Sequence, residues 1–280
     1  MNPTPELPRP TLIASDVDGT LIDDANRVSA RTASVLASAV GTGTEFVLAT
    51  GRPPRWIAEV TDQFDPSAVR VRYAVCANGA IVYDVEHDRV LSAATLGPDV
   101  LRHIGSVAAE LIPGCGIAAE RVGRSAHDAA TPPFVATAGY QHAWLNPDHV
   151  EVGDDEIYEA RAVKLLVRSP GMASAEMAQR LSVLADLAQI TFSTDNGLVE
   201  LSLPDTHKAS GLRKLLEHTE IDASTTVAFG DMPNDVEMLT WVDHGVAMGH
   251  AHPAALAAAD EITVGNNDDG VARVLERWFG

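Results

Sequence analysis

The chain has 280 residues, of which 46% are hydrophobic and 21% are charged, a balance that is typical of a folded protein with a sizeable core. Its net charge of −19 argues against a surface for nucleic acid or anionic membrane, because both need clustered Lys and Arg. The two cysteines, Cys76 and Cys115, suggest no disulfide framework, and the first ten residues lack the layout of a secretory signal. We therefore expect a cytoplasmic protein.

Short apolar runs that end in small or polar residues recur in the first and last parts of the chain. They predict buried strands at residues 12–15, 46–49, 73–76, 226–229 and 245–248. Helical stretches follow these runs at residues 29–40, 54–64, 208–218, 233–241, 253–259 and 270–278. Strands that alternate with helices predict an α/β fold with a doubly wound, parallel, Rossmann-like sheet, whose ligands gather at the carboxyl ends of the strands.

The pattern changes in the middle of the chain, where no comparable polar cluster follows a strand. Predicted elements there are helices at residues 99–111 and 173–188, and strands at 116–122, 162–168, 190–193 and 198–203, with a loop-rich stretch at 125–157. This arrangement indicates a second α/β unit inserted into the first. We predict a discontinuous core domain, residues 1–83 and 205–280, and an inserted α/β domain, residues 84–204.

Asp16 and Asp18 come directly after the first predicted strand and are followed at once by Gly19 and Thr20. Residues i and i+2 of an extended strand project to the same side, so both carboxylates are expected at one place. Such a pair is tolerable if a cation lies between the two or if one of them holds a proton. A solvated turn is the alternative interpretation, since Asp and Gly are common turn residues.

Three further polar groups are expected at the same edge of the sheet. They are Thr50-Gly51-Arg52, Lys208 at a helix start, and the segment Gly230-Asp231-Met232-Pro233-Asn234-Asp235. Each group alone could be a turn, a solvated charge or a helix cap. Together they form an oxygen-rich site with several carboxylates, one lysine and one hydroxyl, which suits Mg²⁺.

The motifs resemble, in order, those of one known group of enzymes. D-x-D-G-T, T-G-R, a lone Lys and G-D-x-x-N-D-x-x-M-L are similar to motifs of the haloacid-dehalogenase-like hydrolase superfamily, specifically its Cof-type phosphatases with a type IIB cap. The likeness runs from about residue 12 to residue 276 and includes Asn78-Gly79-Ala80, Gly245-Val246-Ala247-Met248-Gly249 and Asp269-Gly270-Val271-Ala272. The resemblance implies a core domain with an inserted, substrate-selecting cap domain.

The resemblance also implies a Mg²⁺-dependent phosphatase that acts on a small phosphorylated metabolite, such as a sugar phosphate. Asp16 would be the nucleophile that forms an aspartyl-phosphate, and Asp18 would be the acid and base. The phosphoryl group or the substrate would be bound by Thr50, Gly51, Arg52, Asn78, Lys208 and Asn234. The metal would be held by Asp16, the backbone carbonyl of Asp18, Asp231 and, in a supporting role, Asp235.

Other functions stay open at this point. A phosphomutase or phosphotransferase could use the same core and cap, whereas a phospho-acceptor signalling module is disfavoured because Asp18 would shorten the life of its phosphoryl-aspartate. The arginines of the inserted domain could bind an anionic leaving group or be solvated, and they are Arg121, Arg124, Arg161 and Arg168. His207 could touch the substrate or be a surface histidine at a helix start. Neither the substrate nor the oligomeric state follows from the sequence.

Overall fold

The computed structural model describes residues 8–128, 133–142 and 149–280. Its strands are β1 (Leu12–Ser15), β2 (Glu45–Ala49), β3 (Tyr73–Cys76), β4 (Ile81–Asp84), β5 (Arg89–Ala93), β6 (Gly116–Glu120), β7 (Phe134–Thr137), β8 (Val150–Val152), β9 (Lys164–Arg168), β10 (Gln189–Thr191), β11 (Leu198–Ser202), β12 (Thr226–Gly230), β13 (His244–Ala247) and β14 (Glu261–Ile262). Its α-helices are α1 (Ala30–Gly41), α2 (Ala58–Thr61), α3 (Pro98–Leu111), α4 (Ser174–Leu181), α5 (Lys208–His218), α6 (Val236–Trp241), α7 (Pro253–Ala258) and α8 (Gly270–Phe279). None of the helices in these ranges is long and apolar enough to cross a membrane.

The first sheet has the strand order β14-β13-β12-β1-β2-β3-β4-β5. Its strands from β14 to β3 run parallel, and β4 and β5 continue the sheet in the antiparallel sense. β1 and β12, near the centre, are fully buried, as expected for strands that are covered on both faces. We call this sheet and the helices α1, α2 and α5 to α8 the core.

The second sheet has the order β10-β11-β9-β6-β7-β8 and is antiparallel except for the pair β7 and β8. Alternate residues of its central strands point to opposite faces. Leu165 and Val167 pack in one hydrophobic cluster with residues of α3 and α4, whereas Leu166 packs in another with Phe134. We call this sheet together with α3 and α4 the cap.

The predicted α/β fold with a parallel sheet is confirmed, although some predicted elements differ. Residues 54–64 form one tight turn, Pro54–Trp56, and then only the short helix α2. The Arg55 side chain turns away to pair with Glu120 of the cap, so this segment is shaped by a tertiary contact as well as by helix propensity. The helix predicted at 173–188 ends at Leu181, and β4, β5, β7, β8 and β14 were not predicted.

The predicted domain boundaries stay a prediction, with one proposed change. β5 pairs with β4 and therefore belongs to the first sheet, although it follows residue 83. We place the first crossing into the cap after Ala93. The stretch expected to be loop-rich, residues 125–157, lies partly outside the described residues and contains β7 and β8.

Candidate active site

The sequence-predicted site residues follow adjacent strands of the first sheet. Asp16 follows β1, Thr50 follows β2 and Asp231 follows β12. β1 pairs in parallel with both β2 and β12, so the carboxyl ends of all three strands meet at one edge. Residues that are 215 positions apart in the chain, 16 and 231, thus reach one site.

Lys208 contacts carboxylates from the first and the last part of the chain at this edge. Its Nζ lies 2.7 Å from Asp16 Oδ1 and 2.6 Å from Asp235 Oδ1, and the side chain is fully buried. Burial alone would lower the pKa of Lys208, but attraction to the two carboxylates outweighs it and raises the pKa above its ordinary value. Lys208 is therefore a permanent buried cation at the first turn of α5.

Asp16, Asp231 and Asp235 form a buried acidic cluster, with carboxylate oxygens within 4.8 Å of one another. Burial raises the pKa of Asp16 well above its ordinary value, and repulsion from Asp235 raises it further, although Lys208 opposes both effects. Burial likewise raises the pKa of Asp235. When all three are ionised, Lys208 offsets one of their charges and a divalent cation would offset the other two. This donor set fits Mg²⁺, which prefers carboxylate ligands.

Both carboxylate oxygens of Asp235 accept hydrogen bonds. Oδ1 faces Lys208, and Oδ2 accepts hydrogen bonds from the backbone N–H groups of Asp231 and Met232, each 3.0 Å away. These contacts hold the turn between β12 and α6 in place. Asp235 therefore shapes the loop that carries Asp231.

Two residues next to Asp18 bring the turn after β1 against Asp231. The Thr20 hydroxyl donates to Asp231 Oδ1 over 3.0 Å, and Gly19 has a φ of +75°. A Cβ at Gly19 would lie 2.5 Å from Asp231 Oδ2, so only glycine fits this approach. Both residues belong to the D-x-D-G-T motif, from which no role was predicted for them.

Asp16 and Asp18 lie in different environments, although they are two residues apart. The Asp16 side chain is 7% exposed and that of Asp18 is 51% exposed. Arg52 holds the Asp18 carboxylate in a two-pronged contact, with Nε 2.9 Å from Oδ2 and Nη2 2.7 Å from Oδ1, and its Nη1 donates to Glu59 over 3.1 Å. Arg52 thus orients Asp18 at the mouth of the site.

The remaining predicted core residues form a short hydrogen-bonded group. Asn234 Nδ2 donates to Asn78 Oδ1 over 3.0 Å, and both side chains are buried. Thr50 Oγ1 accepts from the Arg52 backbone N–H over 3.1 Å, which leaves the hydroxyl proton of Thr50 free to be donated. A Cβ at Gly51 would lie 3.1 Å from Asn78 Oδ1, so the two loops approach closely here.

The cap supplies charged side chains to the site that sequence reasoning missed. Lys164 Nζ donates to the backbone oxygen of Gly51 over 2.9 Å and pairs with Glu200, and Arg55 makes a two-pronged pair with Glu120. The signal was present in the sequence, because each cap residue is a charge inside or at the end of an otherwise apolar strand. Such charges are rarely buried unless they are paired.

A cavity of about 420 Å³ lies between the core and the cap. Asp16, Asp18 and Asn234 line it from the core. Its other lining residues include Trp56, Val60, Glu120, Phe134, Lys164, Leu166, Ser193 and Thr194. The cavity has room for a small organic group beside Asp16.

The other candidate substrate residues lie elsewhere in the described part of the chain. His207 is partly buried and accepts a hydrogen bond from the Ser210 backbone N–H, so it caps the start of α5. The four cap arginines do not line the cavity within the described ranges. The side chains of Arg121 and Arg168 donate to backbone oxygens, and that of Arg161 donates to the Thr95 hydroxyl. Arg124 donates its backbone N–H to Asp128.

Comparison with known families identifies the family to which the chain belongs. Residues 13–275 match the family model of haloacid dehalogenase-like hydrolases. The chain belongs to this family. The resemblance inferred from the motifs is confirmed, and with it the prediction of a phosphatase-type hydrolase.

Similar proteins cover the chain almost completely. A 5-amino-6-(5-phospho-D-ribitylamino)uracil phosphatase of Bacillus subtilis, YitU, is 27% identical over 97% of this chain and 98% of its own length. A putative phosphatase of Streptococcus pyogenes is 26% identical over 95% of this chain and 97% of its own.

Among solved structures, the subclass IIB sugar phosphatase BT4131 superposes with a TM-score of 0.77 at 20% identity, covering 95% of this chain and 98% of that one. A further family member from B. subtilis superposes with a TM-score of 0.78 at 22% identity over 96% and 99% of the two chains. These structures share the fold of core and cap.

Proposed function

We propose that this chain is a Mg²⁺-dependent phosphatase that hydrolyses a small phosphorylated metabolite through an aspartyl-phosphate on Asp16. The observation that carries the proposal is the buried group formed by Asp16, Asp231, Asp235 and Lys208, in which the lysine bridges two of the three carboxylates. Such an excess of buried negative charge is costly without a cation. A divalent metal ion would supply the missing positive charge, and a phosphate ester could then bind to the metal and to Lys208.

Asp16 is the proposed nucleophile. One of its oxygens would attack phosphorus while the bond from phosphorus to the leaving oxygen breaks, which would leave the phosphoryl group on the carboxylate as an acyl phosphate. Lys208, the Thr50 hydroxyl and the Gly51 N–H would stabilise the phosphoryl oxygens, since positive charge and donors at these positions offset the negative charge that builds up there.

Asp18 is the proposed acid and base. At the mouth of the site it would donate a proton to the departing alkoxide and later take a proton from the water that hydrolyses the acyl phosphate. Arg52 would fix the direction of the Asp18 carboxylate through its two-pronged contact. The exposure of Asp18 suits a group that exchanges protons with solvent and with a leaving group in turn.

Asp16, Asp231 and the backbone carbonyl of Asp18 would hold Mg²⁺, with Asp235 and Thr20 orienting Asp231. Bound there, the ion would neutralise charge on the carboxylates and polarise the phosphoryl group. The closed cap would surround the leaving group and keep bulk water away from the first step. YitU and BT4131 are named for phosphorylated sugar-like substrates, which supports a metabolite of similar size here.

A phosphate-release screen over a panel of phosphorylated metabolites, with and without Mg²⁺, tests this function. Wild-type protein should release phosphate from at least one compound in a metal-dependent manner, and Asp16→Asn should not. Formation of a bisphosphate in place of free phosphate would indicate the phosphomutase or phosphotransferase alternative. Metal-independent release, or equal release by Asp16→Asn, would contradict the proposal.

A further inference from the structure

Three charged residues lie side by side on the face of the cap sheet that faces the core. Glu120 of β6 is directly opposite Lys164 of β9, and Glu200 lies on the neighbouring strand β11. All three are buried. Each of them contacts a different part of the core, so these contacts form only when the cap lies against the site.

The contact made by Glu200 leads into the site. Its Oε1 pairs with Lys164, and its Oε2 accepts a hydrogen bond from Asn78 Nδ2 over 3.0 Å. Asn78 Oδ1 in turn accepts from Asn234 Nδ2 over 3.0 Å. A continuous path of hydrogen bonds therefore runs from the cap strand β11 to Asn234, which lines the cavity together with Asp16.

This path has a fixed polarity. An ionised carboxylate only accepts hydrogen bonds, so Glu200 requires the NH₂ group of Asn78 to face it. The oxygen of Asn78 must then face Asn234, and it requires the NH₂ group of that residue. Asn234 Oδ1 takes no part in this path. It is buried and has no hydrogen-bond partner among the described residues.

We propose that Glu200 is a positioning residue that acts through Asn78 and leaves the Asn234 carboxamide oxygen free to accept a hydrogen bond from the occupant of the cavity. The proposal rests on the proposed function in one respect, namely that Asn234 faces the substrate or its attacking water. Because Glu200 belongs to the cap and both asparagines to the core, the path exists only while the cap is closed. Cap closure and the orientation of Asn234 are thereby linked.

The charges on this face keep such a closure reversible. Glu200 pairs with Lys164, and Glu120 pairs with Arg55, so neither pair leaves a net charge. The attraction within each buried pair is largely cancelled by the cost of removing both charges from water. Opening the cap rehydrates these groups, which offsets the lost contacts and allows product to leave.

Glu200→Gln tests the polarity directly. The new amide has one oxygen, for which the Lys164 ammonium competes more strongly than a neutral NH₂ group does, so its own NH₂ group should face Asn78. Both asparagines would then turn over, and Asn234 would present a donor to the cavity. Glu120→Gln is the matched control, because it removes a charge from the same face without touching this path.

Kinetics with para-nitrophenyl phosphate and Mg²⁺ separate positioning from mere cap stability. Glu200→Gln should lower kcat by about tenfold, within the range for residues that share one network. In an Asn234→Ala background, Glu200→Gln should lower kcat by less than about twofold. Glu120→Gln should lower kcat by the same factor in both backgrounds. An equal cost of Glu200→Gln in both backgrounds would overturn the proposal while leaving the phosphatase function intact.

A measurement without turnover keeps the test independent of the activity. In protein labelled with ¹⁵N-asparagine, the side-chain NH₂ signals of Asn78 and Asn234 should shift in Glu200→Gln and stay in place in Glu120→Gln. Unchanged signals in both variants would overturn the proposal, even if the wild-type protein released no phosphate. Should Glu200→Gln fail to fold, Asn78→Gly breaks the same path without burying an unpaired charge and suits the φ of +57° at that position.

Discussion

The core and the cap both bury charged side chains at their contact, but they arrange them differently. In the core, carboxylates gather at the ends of parallel strands, and Lys208 offsets only part of their charge. On the cap side, charges stand on a sheet face and are paired, Glu200 with Lys164 of the cap and Glu120 with Arg55 of the core. The incompletely neutralised core cluster is where we propose that a cation binds, whereas the paired charges lie where the cap meets the core.

The largest expected effect comes from the reactive core carboxylate. Asp16→Asn should lower kcat by at least on the order of 10⁴-fold, because an amide oxygen is a far weaker nucleophile. Phosphate release by purified protein measures it, with the exposed Asp186→Asn as the control. A decrease in kcat of less than tenfold would show that Asp16 is not the nucleophile and that the core cluster is not the catalytic site.

The buried cation should matter next. Lys208→Met should lower kcat by roughly 10²- to 10³-fold, since a preorganised charge next to the phosphoryl group is lost. Lys214→Met on the same helix is the matched control, because Lys214 is exposed and, among the residues that the structure describes, forms an ion pair only with Glu217. Equal activity of the two variants would show that Lys208 has only a structural role.

Substitutions of apolar residues on the cap face should act on substrate choice more than on chemistry. Leu166→Ala enlarges the cavity and should raise KM for the preferred metabolite by about two- to tenfold, with kcat for para-nitrophenyl phosphate nearly unchanged. Leu165→Ala, on the opposite face of β9, should lower Tm and leave KM as it is. The reverse pattern would mean that the cap does not contact the leaving group.

The smallest effect concerns the pH dependence of metal stabilisation. The pKa values of Asp16 and Asp235 are raised in the fold, so the metal-free protein loses stability as the pH rises from about 4, the unfolded value, through the folded values. Bound Mg²⁺ opposes this loss. Thermal unfolding should therefore show a Tm increase with Mg²⁺ that is larger by a few degrees at pH 8 than at pH 5.

Asp231→Asn is the control for this measurement, because it weakens the metal site without removing either titrating group. The variant should show little increase in Tm with Mg²⁺ at either pH. A Tm increase that is as large as in the wild-type protein, or one that is larger at pH 5, would contradict the proposed site.

Much of the core could be predicted from sequence, because its chemistry follows short apolar strands. The runs before Asp16, Thr50 and Asp231 gave both the parallel sheet and the edge at which the site lies. The charged face of the cap could not be found in this way, since Glu120, Lys164 and Glu200 stand on three strands whose pairing depends on long-range register. The Arg52 contact with Asp18 was also beyond reach, because alternation along β1 stops at the turn.

The most direct measurement of the central claim is a crystal structure of the protein with Mn²⁺ in place of Mg²⁺, located by its anomalous scattering. We predict one strong peak within bonding distance of carboxylate oxygens of both Asp16 and Asp231, with Lys208 still in contact with Asp16. A peak elsewhere, or none at saturating Mn²⁺, would contradict the account.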